Sequence, residues 1–398
     1  MKSHLHFREF TLLMALLMSI VALSIDAILP ALGEIGQVFS VSNSNQVQWV
    51  IIGIFAGMTI GESIAGPLSD AIGRKPILFI GIAIYLCGTA LCYFAPSFEW
   101  FLVGRFVQGL GVAGPHIAAV AIVRDKYSGD QMARIMSLVM MVFMAVPAIA
   151  PSIGQVVIHF FGWREIFILY LVYAVMIAIW IAYRLEETLI PEKRVPMKFV
   201  VFKDGFHQVI HHKTTMSYLI CAGLIFGGFM SYLGASQQIF MQQFGKSGLE
   251  FSAYFAMFAV IMGIASFLNS HFVLRFGMRK ICMSAIFGLS VISLIFFAIQ
   301  QFGVNIQFWM FLLYMGMAFL CFGMVFGNLN AIALEPMGHI AGMATAIINT
   351  VSSILALTLA AIIGQAYNGT LIPMTVGFML LGSLSFLIML YEKKHAIS

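Results

Sequence analysis

Between Ile281 and Tyr391 the chain carries one charged residue, Glu335. About a quarter of the residues in an ordinary soluble protein are charged, because its surface must face water. No soluble fold can be built from so long a stretch with a single carboxylate. In a bilayer, by contrast, an apolar run of about 20 residues makes one helix across a hydrocarbon core of about 30 Å, and that helix satisfies its own backbone hydrogen bonds. The remainder of the chain is of the same kind, with 61% hydrophobic and 9% charged residues overall. Soluble enzyme, disordered tail and nucleic-acid binder are excluded. The net charge of +5 is read for its distribution, not as the sign of a polyanionic partner. The chain is expected to be an all-α polytopic membrane protein, and not an enzyme.

Apolar runs set against polar punctuation predict twelve spans, at 10–31, 47–69, 76–95, 99–123, 135–158, 164–184, 215–240, 251–274, 280–300, 305–334, 340–366 and 371–391. The longest polar segment follows the sixth span. It separates an N-terminal six-helix bundle (1–185) from a C-terminal one (214–398), with a cytoplasmic linker (186–213) between. A short amphipathic stretch in the linker, Met197 to Ile210, is expected to lie on the membrane surface. With the N-terminus inside, all of the 21 Lys and Arg except Arg105, Arg164 and Lys246 fall on the cytoplasmic side. That is the positive-inside asymmetry, and it puts both termini in the cytoplasm. The run from Phe10 is too long for a signal-peptide core and contains Asp26, so a retained first span is expected. Cys87, Cys92, Cys221, Cys282 and Cys321 lie singly in apolar runs, as small hydrophobes without metal-ligand spacing.

The two halves echo each other. Gly66-Pro-Leu-Ser-Asp-Ala-Ile-Gly-Arg-Lys75 closes span 2, and Phe272-Val-Leu-Arg-Phe-Gly-Met-Arg-Lys280 closes span 8. Each is a Gly turn followed by basic residues, and repeated halves around a midplane site are typical of secondary transporters. The one Gly-Lys-Ser, Gly245 to Ser247, has Phe240 where a phosphate-binding loop needs its leading Gly. ATP is therefore not the energy source.

These residues also carry a family resemblance. The run from Gly66 to Pro76 resembles the loop 2–3 signature of the major facilitator superfamily, and Arg105-Phe-Val-Gln-Gly-Leu-Gly111 resembles its helix 4 motif. Pro147-Ala-Ile-Ala-Pro-Ser-Ile-Gly154 is similar to the antiporter motif of drug:proton exchangers. Four further runs resemble the Bcr/CflA subgroup of multidrug efflux proteins: Ser24-Ile-Asp-Ala-Ile-Leu-Pro-Ala-Leu32, Gly162-Trp-Arg-Glu-Ile-Phe167, Glu187-Thr-Leu189, and Asn330-Ala-Ile-Ala-Leu-Glu-Pro-Met-Gly338 followed by Ala341-Gly342. The resemblance implies the major facilitator fold and proton-driven export of small organic molecules across the inner membrane. It implies alternating access by a monomer without cofactor or metal. It assigns Pro147, Pro151 and Gly154 to the antiporter helix. It assigns Gly66, Asp70, Gly73, Arg74, Lys75, Arg124 and Asp125 to an inner gate that latches the two halves in the outward-open state. The chain departs from the family pattern at Ala71 (usually basic), Glu62 (usually Gln), Gln155 (usually Gly) and Leu274 (Asp expected).

Of the 16 carboxylates only Asp26 and Glu62 stand well inside spans. A charge near the bilayer centre costs at least ~2.5 kcal/mol, so both are functional candidates. Asp26 lies ~24 Å along span 1, and Arg105 ~10 Å below the outer surface on span 4, at 1.5 Å per residue. The two are expected in one leaflet, either as a pair that alternates with protonation of Asp26 or as a permanent structural ion pair. Glu62, eight residues before Asp70, lies roughly 12 Å from the cytoplasmic end of span 2. No intramembrane Lys or Arg is left to pair with it. It is expected to be a second proton site or the anchor of a cationic substrate, or else a protonated side chain bonded to a neighbouring helix.

Other residues carry weaker signals. His116, after Pro115 in span 4, is a proton relay or a hydrogen-bonded bundle residue. His207, His211 and His212 of the linker are expected to be solvated rather than to hold a metal. Gly53, Gly57, Gly61 and Ala65 form a small-residue stripe suited to close helix packing. Tyr232, Ser236 and Gln238 of span 7 and Asn328 of span 10 are candidates to line the substrate path among Met and Phe. Helix–helix hydrogen bonding explains each of them equally well. Two rival functions remain: a dedicated exporter of one metabolite, such as a siderophore or amino-acid derivative, and a non-transporting membrane sensor. The sensor would leave Asp26, Arg105 and the antiporter motif without a purpose.

Overall fold

The structure, a computed structural model, describes residues 6–194 and 199–395. Lys2, and the start of the amphipathic stretch at Met197 and Lys198, lie outside the described residues. Every regular element within them is helical, and 12 segments are long and apolar enough to cross a membrane. The chain divides into two compact units, Met1–Lys198 and Phe199–Ser398.

The first unit holds α1 (Phe7–Asp26), α2 (Leu32–Val38), α3 (Trp49–Ile72), α4 (Arg74–Tyr93), α5 (Phe98–Lys126), α6 (Gly129–Phe160) and α7 (Glu165–Arg184). The first expected span is not one helix. It breaks after Asp26, and a 3-10 turn at Leu29–Ala31 leads into α2. Pro30 accounts for the break, because it has no N–H to offer the Asp26 carbonyl four residues earlier.

Glycines set the packing here. A Cβ on Gly57 would strike the Phe106 carbonyl, and one on Gly109 would strike the Ile54 carbonyl. Contacts advance together along both helices, from Gly53 against Leu102 and Arg105 to Gly61 against Leu110 and Ala113. α3 and α5 therefore run parallel with their backbones touching, as the small-residue stripe suggested. On its other side α5 meets α4, where Gly81 and Gly88 lie against Gly111, Gly114 and Gly104. Ile64, Val103, Met176 and Ile179 stay on the outside, on the surface that lipid tails would cover.

The second unit begins with α8 (Phe199–His211), which packs on α9 (Lys213–Gln237) and α13 (Ala341–Gln365). Gly205 leaves room for Met343, and Val209 is fully buried. The second part of the expected linker thus packs against this bundle through Gly205 and Val209. His212 caps α9 by accepting from Thr215 N at 3.3 Å, and His207 stacks on His211 one turn earlier. α9 continues through a π-helical turn, Gln238–Gln243. α10 (Gly248–Phe276), α11 (Met278–Gln301), α12 (Phe308–Leu334) and α14 (Ile372–His395) complete the unit. Its core is aromatic: Phe229 meets Phe319, Phe322 and Phe326 edge-on, the arrangement that ring quadrupoles favour.

Candidate functional site

Arg105 is completely buried at the meeting point of several helices. Its Nη2 donates to the Ser24 carbonyl of α1 (2.9 Å), its Nε to the Val50 carbonyl of α3 (3.3 Å), and its Nη1 to Gln108 Oε1 of α5 (2.5 Å). Gln108 in turn donates to Thr89 Oγ1 of α4 at 3.0 Å. Ser24 Oγ and Tyr85 Oη of α4 are 2.6 Å apart, and Tyr170 Oη of α7 donates to the Ser24 carbonyl at 3.4 Å. Five helices are tied through one guanidinium, whose fork of donors suits it to several acceptors at once.

The expected pairing of Arg105 with Asp26 does not form in this structure. Arg105 reaches the carbonyl of Ser24, two residues before Asp26, and residues two apart on a helix do not share a face. The Asp26 carboxylate, 6% exposed, has no hydrogen bond or ion pair among the described residues. It ends α1 at the break made by Pro30. The same point is the seat of α6: a Cβ on Gly154 would collide with the carbonyl of Ala27. Pro147 and Pro151 sit inside α6 about two turns and one turn earlier. The run from Pro147 to Gly154 therefore touches the chain one residue from the lone carboxylate.

Glu62 is not without a partner. Its Oε1 lies 2.7 Å from Nδ1 of His116, with side chains 16% and 23% exposed respectively. Among the described residues no intramembrane Lys or Arg pairs with it, as expected, but an imidazole does. The signal was present. α3 and α5 are parallel, Glu62 stands eight residues before Asp70, and His116 stands eight before Arg124, so the two share one depth.

At the end of α3, Gly73 adopts φ 115° and ψ 163°, a region open essentially to glycine alone. Arg74 donates to Asp70 Oδ1 (2.5 Å), Ser69 Oγ (3.0 Å) and Asp125 Oδ2 (2.8 Å). Glu187 completes the cluster: its carboxylate accepts from Arg74 N at 2.9 Å and Lys75 N at 3.0 Å, capping the positive end of α4. Lys75 Nζ reciprocates by donating to the Leu185 carbonyl, 2.7 Å away beyond the end of α7. Asp70, Gly73, Arg74, Lys75 and Asp125 are thus brought together. Arg124 is exposed and joins none of these contacts among the described residues. Gly66 has open space where a Cβ would stand, so crowding does not explain it.

In the second unit the four candidate substrate residues are buried. Ser236 donates to its own helix at Leu233 O (2.8 Å). Asn328 exchanges amide hydrogen bonds with Asn269 of α10, at 2.8 and 3.3 Å, which is the helix–helix reading. Gln238 opens the π-helical turn. Tyr232 stands edge-on to Phe319 and Phe258. Its Oη and the Oε1 of Gln237 are fully enclosed polar atoms left without a hydrogen bond among the described residues. Nothing in the sequence distinguishes Gln237 from its neighbour Gln238.

A family model described as the Major Facilitator Superfamily matches residues 14–361. A bicyclomycin resistance protein homolog of Haemophilus influenzae is 30% identical over 370 residues, covering 92% of this chain and 91% of its own. Multidrug resistance protein MdtL of Klebsiella pneumoniae is 26% identical over 360 residues, covering 88% of each. Among solved structures, a D-xylose–proton symporter superposes with a TM-score of 0.74 at 15% identity, over 95% of this chain and 96% of that one. The human organic anion transporter MFSD10 gives 0.68 at 17% identity, over 96% and 99%. At such identities these structures bear on the fold alone.

Proposed function

The chain belongs to the major facilitator superfamily, and from that membership we propose that it exports small organic compounds, drugs among them, across the inner membrane in exchange for protons. The observation that carries this reading is Asp26, a buried carboxylate without a partner at the break in α1, one residue from the seat of Gly154. A lone carboxylate is expensive as an ion in an apolar interior. A cycle that alternately buries and hydrates it loads and unloads one proton each turn, and so couples export to proton entry. Arg105 holds the Ser24 carbonyl two residues upstream, so a shift of α1 at its break and a rearrangement of the Arg105 bonds are one event. Arg105 acts in this scheme as a positioning group, and in another conformer as the charge that Asp26 meets after giving up its proton.

Compounds are held by Phe and Met surfaces with a few polar atoms, for which Tyr232 Oη and Gln237 Oε1 have unused capacity. The protein works as a monomer with both termini in the cytoplasm. Relatives named for bicyclomycin and multidrug resistance favour drug efflux over export of one dedicated metabolite. Expression in a bacterium stripped of its own drug exporters tests this. Wild type should raise tolerance to several unrelated compounds and lower their accumulation. Asp26→Asn should do neither while reaching the membrane in equal amount. Protection against one compound alone would point to a metabolite exporter, and full protection by the Asn variant would remove the proton role.

A further inference from the structure

We propose that the Glu62–His116 pair is a binding site for lipophilic monocations, in which the arriving cation takes over the Glu62 carboxylate and the proton between the two side chains is released. The inference rests on the exporter reading only in supposing that organic compounds reach the pair. Three observations carry it. The two side chains are 2.7 Å apart on the parallel helices α3 and α5, within the membrane-spanning segments. They keep 16% and 23% exposure, unlike the sealed Arg105 network, so a ligand can approach. The surroundings suit an apolar cation: the Phe143 ring of α6 lies 6.4 Å from the imidazole, and Met58 and Phe55 stand four and seven residues before Glu62, on its face of α3.

Charge balance dictates the exchange. Carboxylate and imidazole with one proton between them are neutral as a pair, whichever holds it. A cation added to the neutral pair would leave a net charge in the membrane interior, which is disfavoured. If the proton leaves for solvent, the carboxylate keeps one positive partner and the imidazole is left neutral. One cation thus replaces one proton. Among the described residues, Glu62 is the charged side chain in contact with His116; Asp70 of α3, Arg105, Arg124, Asp125 and Lys126 of α5, and Asp130, Arg134 and His159 of α6 make no ion pair or hydrogen bond with it.

The experiment is calorimetric titration of the purified full chain with tetraphenylphosphonium between pH 5.5 and 8.5, in two buffers of different ionisation enthalpy. For wild type, affinity should weaken by up to tenfold per pH unit on the acid side, with close to one proton released per cation bound at pH 5.5. Glu62→Gln should lose at least tenfold in affinity and release no proton. His116→Gln, which leaves Glu62 to hold the proton alone as a neutral carboxyl, should still release a proton on binding, with the pH at which affinity levels off displaced from that of wild type. A His116→Gln protein that keeps the wild-type pH dependence overturns the proposal. So does wild-type binding at pH 5.5 without proton release, or wild-type affinity in Glu62→Gln. Export of a neutral compound by the wild type reports on the exporter reading separately. A wild type that exports but binds without releasing a proton sinks this inference alone, and one that exports nothing while the binding results hold sinks only the exporter reading.

Discussion

Arg105 is a full positive charge with neutral partners in this structure: two carbonyls and an amide oxygen drawn from three helices. Lys at the same position would keep the charge but cannot reach all three acceptors with one fork. Ala would remove the tie between the three helices and leave Gln108 Oε1 without its donor, at about 1–3 kcal/mol for a buried group left unsatisfied. Melting of the purified protein should therefore rank wild type above Arg105→Lys and Arg105→Lys above Arg105→Ala. Tyr170→Phe, which removes only a 3.4 Å contact to the Ser24 carbonyl, should stay near wild type. Equal melting temperatures for the Lys and Ala variants would contradict the network. At this scale the sequence reveals which residues matter more readily than what they touch. Asp26, Arg105 and Glu62 stand out because charge inside a span is costly, and that cost is visible without coordinates. Their partners depend on the helical face and on which helices are neighbours. Depth arithmetic alone put Asp26 against Arg105, although Ser24 and Asp26 occupy different faces.

Elements in this protein are positioned by places where a side chain is missing. Gly154 lets α6 rest on the Ala27 carbonyl, so Gly154→Ala should disturb the break in α1 and cut export severely, while Ala at Gly66, with open space around it, should be tolerated. Export assays on both variants at matched membrane levels check this, and a fully active Gly154→Ala protein would refute the contact. Gly73 and Gly277 begin α4 and α11 with similar backbone angles, φ 115° and 81°, each costing about 1–3 kcal/mol for a residue with a Cβ. At Gly73 the new methyl would also meet Glu187 Oε2 at 2.6 Å, whereas at Gly277 nothing lies within 4 Å. Gly73→Ala should therefore lower the melting temperature more than Gly277→Ala, and the reverse order would argue against the Glu187 cap. Span number and the glycine stripe are readable from the sequence because apolar length and four-residue spacing are local properties. The break at Asp26 was readable in principle from Pro30. The docking of α8 through Gly205 and Val209 was not, since it depends on where Met343 lies.

The whole molecule is a twelve-span transporter with one buried, unpaired carboxylate among its described residues. From the even number of spans and the placing of Lys and Arg we propose that both ends of the chain lie in the cytoplasm. A phosphatase or fluorescent-protein fusion at either end reports that directly, with fluorescence and no periplasmic phosphatase activity expected. The central claim is that protons moving by way of Asp26 drive export. Its most direct test uses proteoliposomes holding the purified chain, an imposed pH gradient, and a neutral compound to which wild-type cells become tolerant. The account predicts that wild type moves the compound uphill only while the gradient lasts, and that Asp26→Asn moves it no further than equilibrium. Uphill transport by the Asn variant at the wild-type rate, or wild-type transport indifferent to the gradient, would contradict it.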